Sequence, residues 1–277
     1  GFKAPLIIEK SGGGFLYGTT DLAAIRYRVA NLKAGRVIYN TDARQAQHFA
    51  QVFDAAKRAG IAGDAKLEHA PFGTMLGADN KPFKTRSGDT VKLTDLLDEA
   101  EERAFILVSE KNPTLPEDQR RAIAKSVGIG AVKYADLAKD RNSDYVFSWD
   151  KMLAMDGNTA PYLQYAYARI QSIFRKSDGQ VGNLATLTLD TPFELALAKH
   201  LLRLGDVLEV VARELKPHYL CMFLFDLATR FSSFYENCPV LTAREELRAG
   251  RLALCRVTAS TMALGLDLLG IEHPEQM

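Results

Sequence analysis

Residues 36–60 read RVIYNTDARQAQHFAQVFDAAKRAG. The first five, Arg36 to Asn40, are rich in β-branched and aromatic side chains and lie between Gly35 and Asp42, which is a strand signature. Residues 43–60 then repeat apolar side chains at three- and four-residue spacing and stop at Gly60, the pattern of an amphipathic helix closed by glycine. The same alternation continues outward. Upstream, the apolar run 14–18 follows a glycine turn and reads as a short strand. Residues 21–32 read as a helix with Thr20 or Asp21 as its N-cap. Downstream, residues 66–76 read as a further strand. Strand–helix–strand–helix–strand implies a parallel α/β sheet, one half of a doubly wound fold.

From Thr90 onward the signal is helical. Residues 91–111 and 117–139 read as two helices joined by a loop with Pro113 and Pro116, and residues 140–150 as a polar bridge. Four long helices follow, at 159–177, 192–216, 218–237 and 242–270. Leu220, Leu224, Leu227 and Phe231 form one apolar stripe at helical spacing. Short connections between long helices imply an antiparallel all-α bundle. The domain boundary is expected near residues 145–155.

The chain has 277 residues, 47% of them hydrophobic, which is enough for a buried core. Its net charge of +1 means that any site for a polyanion must be local. Cys221, Cys238 and Cys255 fit neither a zinc pattern nor a disulfide framework, and read as reduced core cysteines. No metal site is expected. Reduced cysteines imply a cytoplasmic protein, and no apolar run reaches the roughly 18–20 residues that span a bilayer, so no membrane partner is expected.

Three places could carry chemistry. Residues 81–88, KPFKTRSG, combine Lys81, Lys84 and Arg86 with Thr85, Ser87 and Gly88. This is either a loop for phosphate or a solvated basic turn, and it lacks the Walker spacing. Tyr17 and Asp21 fall where a strand gives way to a helix, the ligand-binding end of an open α/β sheet. Asp21 is either a cap or, beside a tyrosine, a holder of a cationic ligand. Gln45 and His48 sit at the matching end of the next strand, and His48 is either packed and neutral or catalytic. On the 159–177 helix, Tyr162, Tyr165 and Arg169 share a face. That face is either core or a platform for stacking unpaired bases.

Together, in this order, GGGFLYGTTDLAAIRYR (12–28), DARQAQHFAQVF (42–53), HAPFGTMLG (69–77), KPFKTRSGDTVKLTDLLDEA (81–100), GNTAPYLQYAYARIQSIFRK (157–176), FYENCPVL (234–241) and LGLDLLGIEHPEQM (264–277) resemble bacterial arginyl-tRNA synthetase, a class I aminoacyl-tRNA synthetase. The resemblance covers nearly the whole chain. It implies a partial Rossmann-like parallel sheet followed by an all-α anticodon-binding domain. The corresponding parts are residues 1–93 as the C-terminal part of the catalytic domain, 94–148 as a helical linker, and 149–277 as the anticodon-binding domain. Lys84, Thr85 and Arg86 then belong to a KMSKS-type catalytic loop, with Thr85 where a second lysine is usual. Lys81, Lys84, Arg86 and His69 fall on the ATP side, with ATP and Mg²⁺ as substrate and no prosthetic group. Tyr17, Asp21 and Gln45 match positions that hold arginine, with Asp21 as the guanidinium partner. Tyr162, Tyr165, Arg169, Tyr235 and Met277 match positions that meet the anticodon of tRNA(Arg), and Gln276 stands where arginine is commonest.

The HIGH-type motif of such enzymes is not in these residues: none of the five histidines lies in an H-x-G-H. The chain therefore resembles the C-terminal half of the enzyme, with Gly1 as the edge of a longer polypeptide. The expectation is an arginine–tRNA ligase whose half-chain alone is nearly inactive. The longer enzyme is expected to be monomeric and the half-chain to self-associate. The rival reading is a non-catalytic tRNA-binding fragment or paralogue. A third is a helical protein-interaction bundle, which leaves Tyr17, Asp21 and Gln45 unexplained.

Overall fold

A computed structural model of the chain describes residue 2 and residues 5–81, 92–177 and 188–277. The chain divides into two units, Gly1–Thr74 with Arg141–Tyr145 and Met75–Asp140 with Val146–Met277.

The first unit runs α1 (Tyr17–Ala30), β1 (Arg36–Asp42), α2 (Ala46–Arg58), β2 (Lys66–Phe72). β1 and β2 pair in parallel, from Arg36 opposite Lys66 to Asp42 opposite Phe72. Parallel strands need a crossover, and α2 is that crossover. Phe49, Val52, Phe53 and Ala56 fall on one face of α2 at the expected spacing. Val52 and Ala56 bury against Ile25 and Ala62, with Tyr39 and Leu67 packed alongside. Gly60 takes φ +70° just past the helix end, a conformation that costs glycine little.

Two expectations for this unit change. The strand expected at 14–18 is absent: Phe15 makes one isolated bridge to Glu9, and α1 already begins at Tyr17. The reason is local. The glycines close a tight turn, with the Gly13 amide on the Lys10 carbonyl at 2.9 Å. Leu16 then accepts the first helical bond, from Thr19 at 2.9 Å, which leaves too little chain for a strand. Consequently neither Thr20 nor Asp21 caps the helix, and the Asp21 side chain projects from its second turn. The expected strand 66–76 also breaks. After β2 the Gly73 amide turns to the Arg141 carbonyl at 2.7 Å. A second short strand, β3, covers only Met75–Leu76.

In the second unit α3 (Leu93–Lys111) and α4 (Glu117–Leu137) form a hairpin over Ala104, Val108, Ala124 and Val127. The two short elements that follow in sequence are β4 (Tyr145–Val146) and α5 (Trp149–Met152). Gly128 sets the hairpin's closeness: a Cβ there would sit 2.5 Å from the Ala100 carbonyl oxygen. Gly128→Ala should therefore destabilise the chain by about 1–3 kcal/mol by urea unfolding, although alanine is the better helix former by roughly 1 kcal/mol. Unchanged or raised stability would show that the hairpin spreads without cost.

The bundle comprises α6 (Ala160–Lys176), α7 (Pro192–Leu201), α8 (Leu204–Glu214), α9 (His218–Asn237) and α10 (Glu245–Leu268). Thr159 caps α6 through its hydroxyl, and Thr191 with Glu194 makes a reciprocal capping box on α7. Leu220, Leu224, Leu227 and Phe231 are buried as the stripe required, against Leu163, Ile170, Leu252 and Met262. All three cysteines are free and buried, and burial pushes the Cys221 and Cys255 thiols up to about 12. The single helix expected over 192–216 is instead two. α7 ends with a tight bond from the Arg203 amide to the His200 carbonyl at 3.0 Å, next to Gly205, the weakest helix former in the interior of the run. The break lets Leu197 of α7 and Leu204, Val207, Leu208 and Val211 of α8 reach the same core.

Candidate functional site

In the first unit Asp21 and His48 meet at 2.7 Å, imidazole Nε2 to carboxylate Oδ2. Asp21 comes from α1. His48 stands in the first turn of α2, just past the C-terminal end of β1, where ligands settle on parallel sheets. Tyr17 lies one turn before Asp21 and is 86% exposed, so its ring is open to a ligand. Gln45 is exposed one turn before His48. Four polar or aromatic side chains thus project from two neighbouring helix starts. Asp21 has its Oδ2 engaged by His48, and its Oδ1 makes no hydrogen bond among the described residues.

Behind this edge the packing is aromatic. The Phe49 ring lies 5.1 Å from His48 and 5.0 Å from His69. His69 Nε2 is 2.9 Å from the Thr41 hydroxyl. Burial, and to a lesser degree the Arg141 charge, hold His69 below its ordinary pKa against the hydrogen bond to Thr41. Arg28 donates to the Tyr39 hydroxyl at 2.7 Å and lies over its ring. Burial raises the Tyr39 phenol, and Asp21 adds to that rise. His48 was open between packing and chemistry in the sequence. Its bond to Asp21 could have been suspected only by assuming that the two helix starts meet.

Lys81 is exposed in the second unit, in a turn where its amide donates to the Asp79 carboxylate at 3.1 Å. Lys84, Thr85 and Arg86 lie outside the described residues. Among the described residues no group of three or more His, Cys, Asp or Glu side chains could hold a metal ion. Nor is any helix of the described residues long and apolar enough to cross a membrane.

The second unit brings Tyr165, Arg169 and Tyr235 together. Arg169 donates to the Tyr165 hydroxyl at 3.0 Å, and its guanidinium lies 4.8 Å from the Tyr165 ring centre and 5.4 Å from that of Tyr235. They line a groove of about 680 Å³ together with Arg175, Lys176 and Met277. Tyr162 is placed differently. It packs on Phe225, with ring centres 5.9 Å apart, and its hydroxyl is 3.5 Å from Ser232. The three-residue step from Tyr162 to Tyr165 turns the former toward α9. Sequence reasoning missed Arg175 and Lys176, although they continue the basic side of the same helix into its last turn.

The arrangement offers a carboxylate with an aromatic neighbour for a planar cation, and two tyrosines flanking an arginine, with further cations alongside, for bases and phosphates. The chain as a whole is similar to known proteins. A profile described as tRNA synthetases class I (R), catalytic domain, matches residues 1–149, and one described as DALR anticodon binding domain matches residues 163–277. The arginine–tRNA ligase of Laribacter hongkongensis is 59% identical over 273 residues, covering 98% of this chain and 48% of that protein. That of Chromobacterium violaceum is 57% identical with the same coverage. The solved arginyl-tRNA synthetase of Plasmodium falciparum superposes with a TM-score of 0.86 at 37% identity, over all of this chain and 47% of its own. That of Thermus thermophilus gives 0.86 at 30% identity, over all of this chain and 52% of its own. The chain spans about half the length of the curated relatives it matches. The similarity runs across both profiles, and the chain belongs to the class I (R) tRNA synthetase family, alongside its arginine–tRNA ligase relatives.

Proposed function

We propose that this chain is the arginine-recognising and anticodon-binding portion of an arginine–tRNA ligase. The observation that carries the reading is the Asp21–His48 pair at 2.7 Å, with Tyr17 one turn away. Arginine's guanidinium is a planar, permanently charged fork of donors. A carboxylate fixed through one oxygen and open at the other, beside an exposed aromatic ring, fits it. Tyr17, Asp21 and Gln45 hold the amino acid. Residues 1–93 are the second part of the catalytic domain, 94–148 the linker, and 149–277 the anticodon-binding domain.

Lys84 and Arg86, with Lys81, close on ATP phosphates, and Thr85 completes that loop. His69 and the strand around it serve the adenine side, although the neutral, packed state of His69 suits a wall better than a charged contact. Mg²⁺ accompanies ATP as part of the substrate. The arginine carboxylate attacks the α-phosphate, pyrophosphate leaves, and the arginyl group passes to the 3′ ribose of tRNA(Arg). Such chemistry rests on positioning and charge stabilisation. On the RNA side, Tyr165, Arg169 and Tyr235 stack anticodon bases, with Met277 at the edge of their groove and Tyr162 supporting from the bundle.

The 277 residues carry no H-x-G-H, so this chain by itself should be nearly inactive. Losing one transition-state donor costs roughly a hundred- to a thousandfold, and a whole motif costs more. Arginine-dependent ATP–pyrophosphate exchange with added tRNA checks it: background-level exchange is expected, and robust turnover would overturn the claim. Ile7, Phe15 and Ile38 are exposed in the first unit, which supports self-association of the isolated chain. Light scattering should give a mass above the 30.6 kDa of one chain, and a monodisperse monomer would refute it.

A further inference from the structure

α9 presents a ridge with a groove on either side. On a helix of 3.6 residues per turn, Phe225, Ser232 and Tyr235 fall on one flank and meet Tyr162 and Arg169 of α6. Phe223 falls on the other and meets His200 of α7, and Cys238, just past the end of α9, meets Thr191 at the start of α7. Between them Met222, Asp226 and Thr229 are exposed. The α6 flank carries the tyrosine–arginine groove already described. The α7 flank carries a second groove, of about 410 Å³, lined by Pro192, Leu195, Lys199, His200, Arg203 and Arg230.

The second groove is cationic by construction. Pro192, Leu195, Lys199 and Arg203 are three or four residues apart, one stripe of α7 and its exit, and Arg230 faces them from α9. Lys199, Arg203 and Arg230 are all exposed. The nearest carboxylates in sequence are Asp206, three residues past Arg203, and Asp226, one turn before Arg230, so three cations face two carboxylates and the groove stays net positive. His200 is the pin that sets the geometry. It is 3% exposed, its ring stacks on Phe223 at 4.5 Å, and its Nε2 donates to the Phe223 carbonyl at 2.9 Å. That bond fixes the tautomer, and burial with the Arg230 and Arg203 charges keeps the imidazole neutral. α7 is thereby locked to α9 with Lys199 and Arg203 opposite Arg230.

We propose that this α7–α9 groove is a phosphate track, in which Lys199, Arg203 and Arg230 hold the backbone of an RNA strand whose bases stack on Tyr165 and Tyr235 across α9. The inference rests on the RNA-binding reading of the second unit and extends it to residues outside the tyrosine groove. Two grooves flanking one helix are separated by about its diameter, roughly 10–12 Å, which a few nucleotides of strand cross. Single-strand binders pair aromatic platforms with a cationic path for the backbone, and arginine forks grip phosphate oxygens in pairs. An acidic protein segment would use the cations alone and leave the aligned tyrosine groove unused.

The test uses the 277-residue chain and two probes, a tRNA(Arg) transcript and a hairpin RNA with its anticodon loop, titrated between 50 and 200 mM KCl. Replacing Lys199, Arg203 and Arg230 together by alanine should flatten the slope of log affinity against log salt by about 2, at roughly 0.7 per single-strand phosphate contact. The charge-keeping set Lys199→Arg, Arg203→Lys and Arg230→Lys should hold the wild-type slope, and matching melting curves would show that both sets fold. An unchanged slope in the alanine set, with binding lost in Tyr165→Ala/Arg169→Ala, overturns the track and leaves the RNA reading standing. Absence of RNA binding by the wild-type chain overturns both. Binding of poly-L-glutamate that the alanine set abolishes, with its RNA slope unchanged, overturns the track in favour of an acidic protein partner.

Discussion

Glu194→Ala should lower the unfolding free energy by about 3–5 kcal/mol, the largest loss expected from any single side chain here. Glu194 is 1% exposed and its Oε1 accepts from Arg251 Nε at 2.7 Å. Its Oε2 accepts from the Thr191 amide at 2.8 Å and the Thr191 hydroxyl at 3.0 Å. Arg251 is itself buried and spends a second donor on the Pro239 carbonyl at 2.8 Å. One carboxylate therefore starts α7, ties it to α10 and neutralises a guanidinium in the interior. Alanine leaves that cation without a counter-charge, and an uncompensated buried charge is what makes such losses large. Replacing both partners, Glu194→Met with Arg251→Leu, should recover much of the loss, because a packed apolar pair can stand in for a buried ion pair. Urea unfolding with an unchanged m-value measures both. A loss under about 1 kcal/mol in the single variant would show that Arg251 finds water or another partner.

The same residue predicts a pH dependence. Burial alone would raise the Glu194 carboxyl, but Arg251 and Thr191 outweigh it and hold the group below the ordinary glutamate value. A carboxylate with a depressed folded pKa contributes stability that is complete above its unfolded value and is lost as pH falls through the folded one. The advantage of wild type over Glu194→Gln should hold at neutral pH and shrink only below about pH 4.3.

Asp21→Ala should raise the KM for arginine roughly thirty- to a hundred-and-fifty-fold, corresponding to about 2–3 kcal/mol of lost binding. The lower end of the range for truncated charge pairs applies because the Asp21 side chain is 27% exposed and water partly screens it. The measurement is pyrophosphate exchange by a polypeptide that joins this chain to the preceding half of the Laribacter hongkongensis relative. KM for ATP should stay within about twofold, since the role proposed for the carboxylate is toward the amino acid and not the nucleotide. His48→Ala should give the same direction with a smaller effect, as it frees the carboxylate to rotate without removing it. Unchanged arginine KM in Asp21→Ala would remove the carboxylate from recognition.

Much of this was legible in the chain itself. Apolar spacing located α2, α4, α6, α9 and α10 within a few residues, because amphipathic helices of that length leave a strong period. The parallel pairing of β1 and β2 followed from the helix between them. What could not be read was where long-range bonds override local pattern. The run 14–18 had strand composition, yet the glycine turn and the early helical bond at Leu16 claimed its backbone. The 192–216 helix had unbroken helical spacing, yet His200 anchored to Phe223 and the chain re-aimed after Arg203. In the site, residue types were legible but their partners were not. Nothing in the sequence joined Asp21 to His48, and the three-residue step between Tyr162 and Tyr165 did not by itself show that Phe225 would cover the first and leave the second exposed.

The β1–β2 sheet is only two strands wide among the described residues. Such a pair is marginal without support, and its support in this unit is the packing of α1 and α2. Its amides should therefore exchange with solvent through small openings of this unit, while those of α9 and α10, around Leu224 and Met262, wait for cooperative unfolding. Asp21 and His48 sit on the same α1 and α2 whose packing closes over the strands. A ligand bridging those helices would be felt along β1 as slower exchange, so the protection of Val37 and Tyr39 becomes a reporter of occupancy several residues away from the ligand itself.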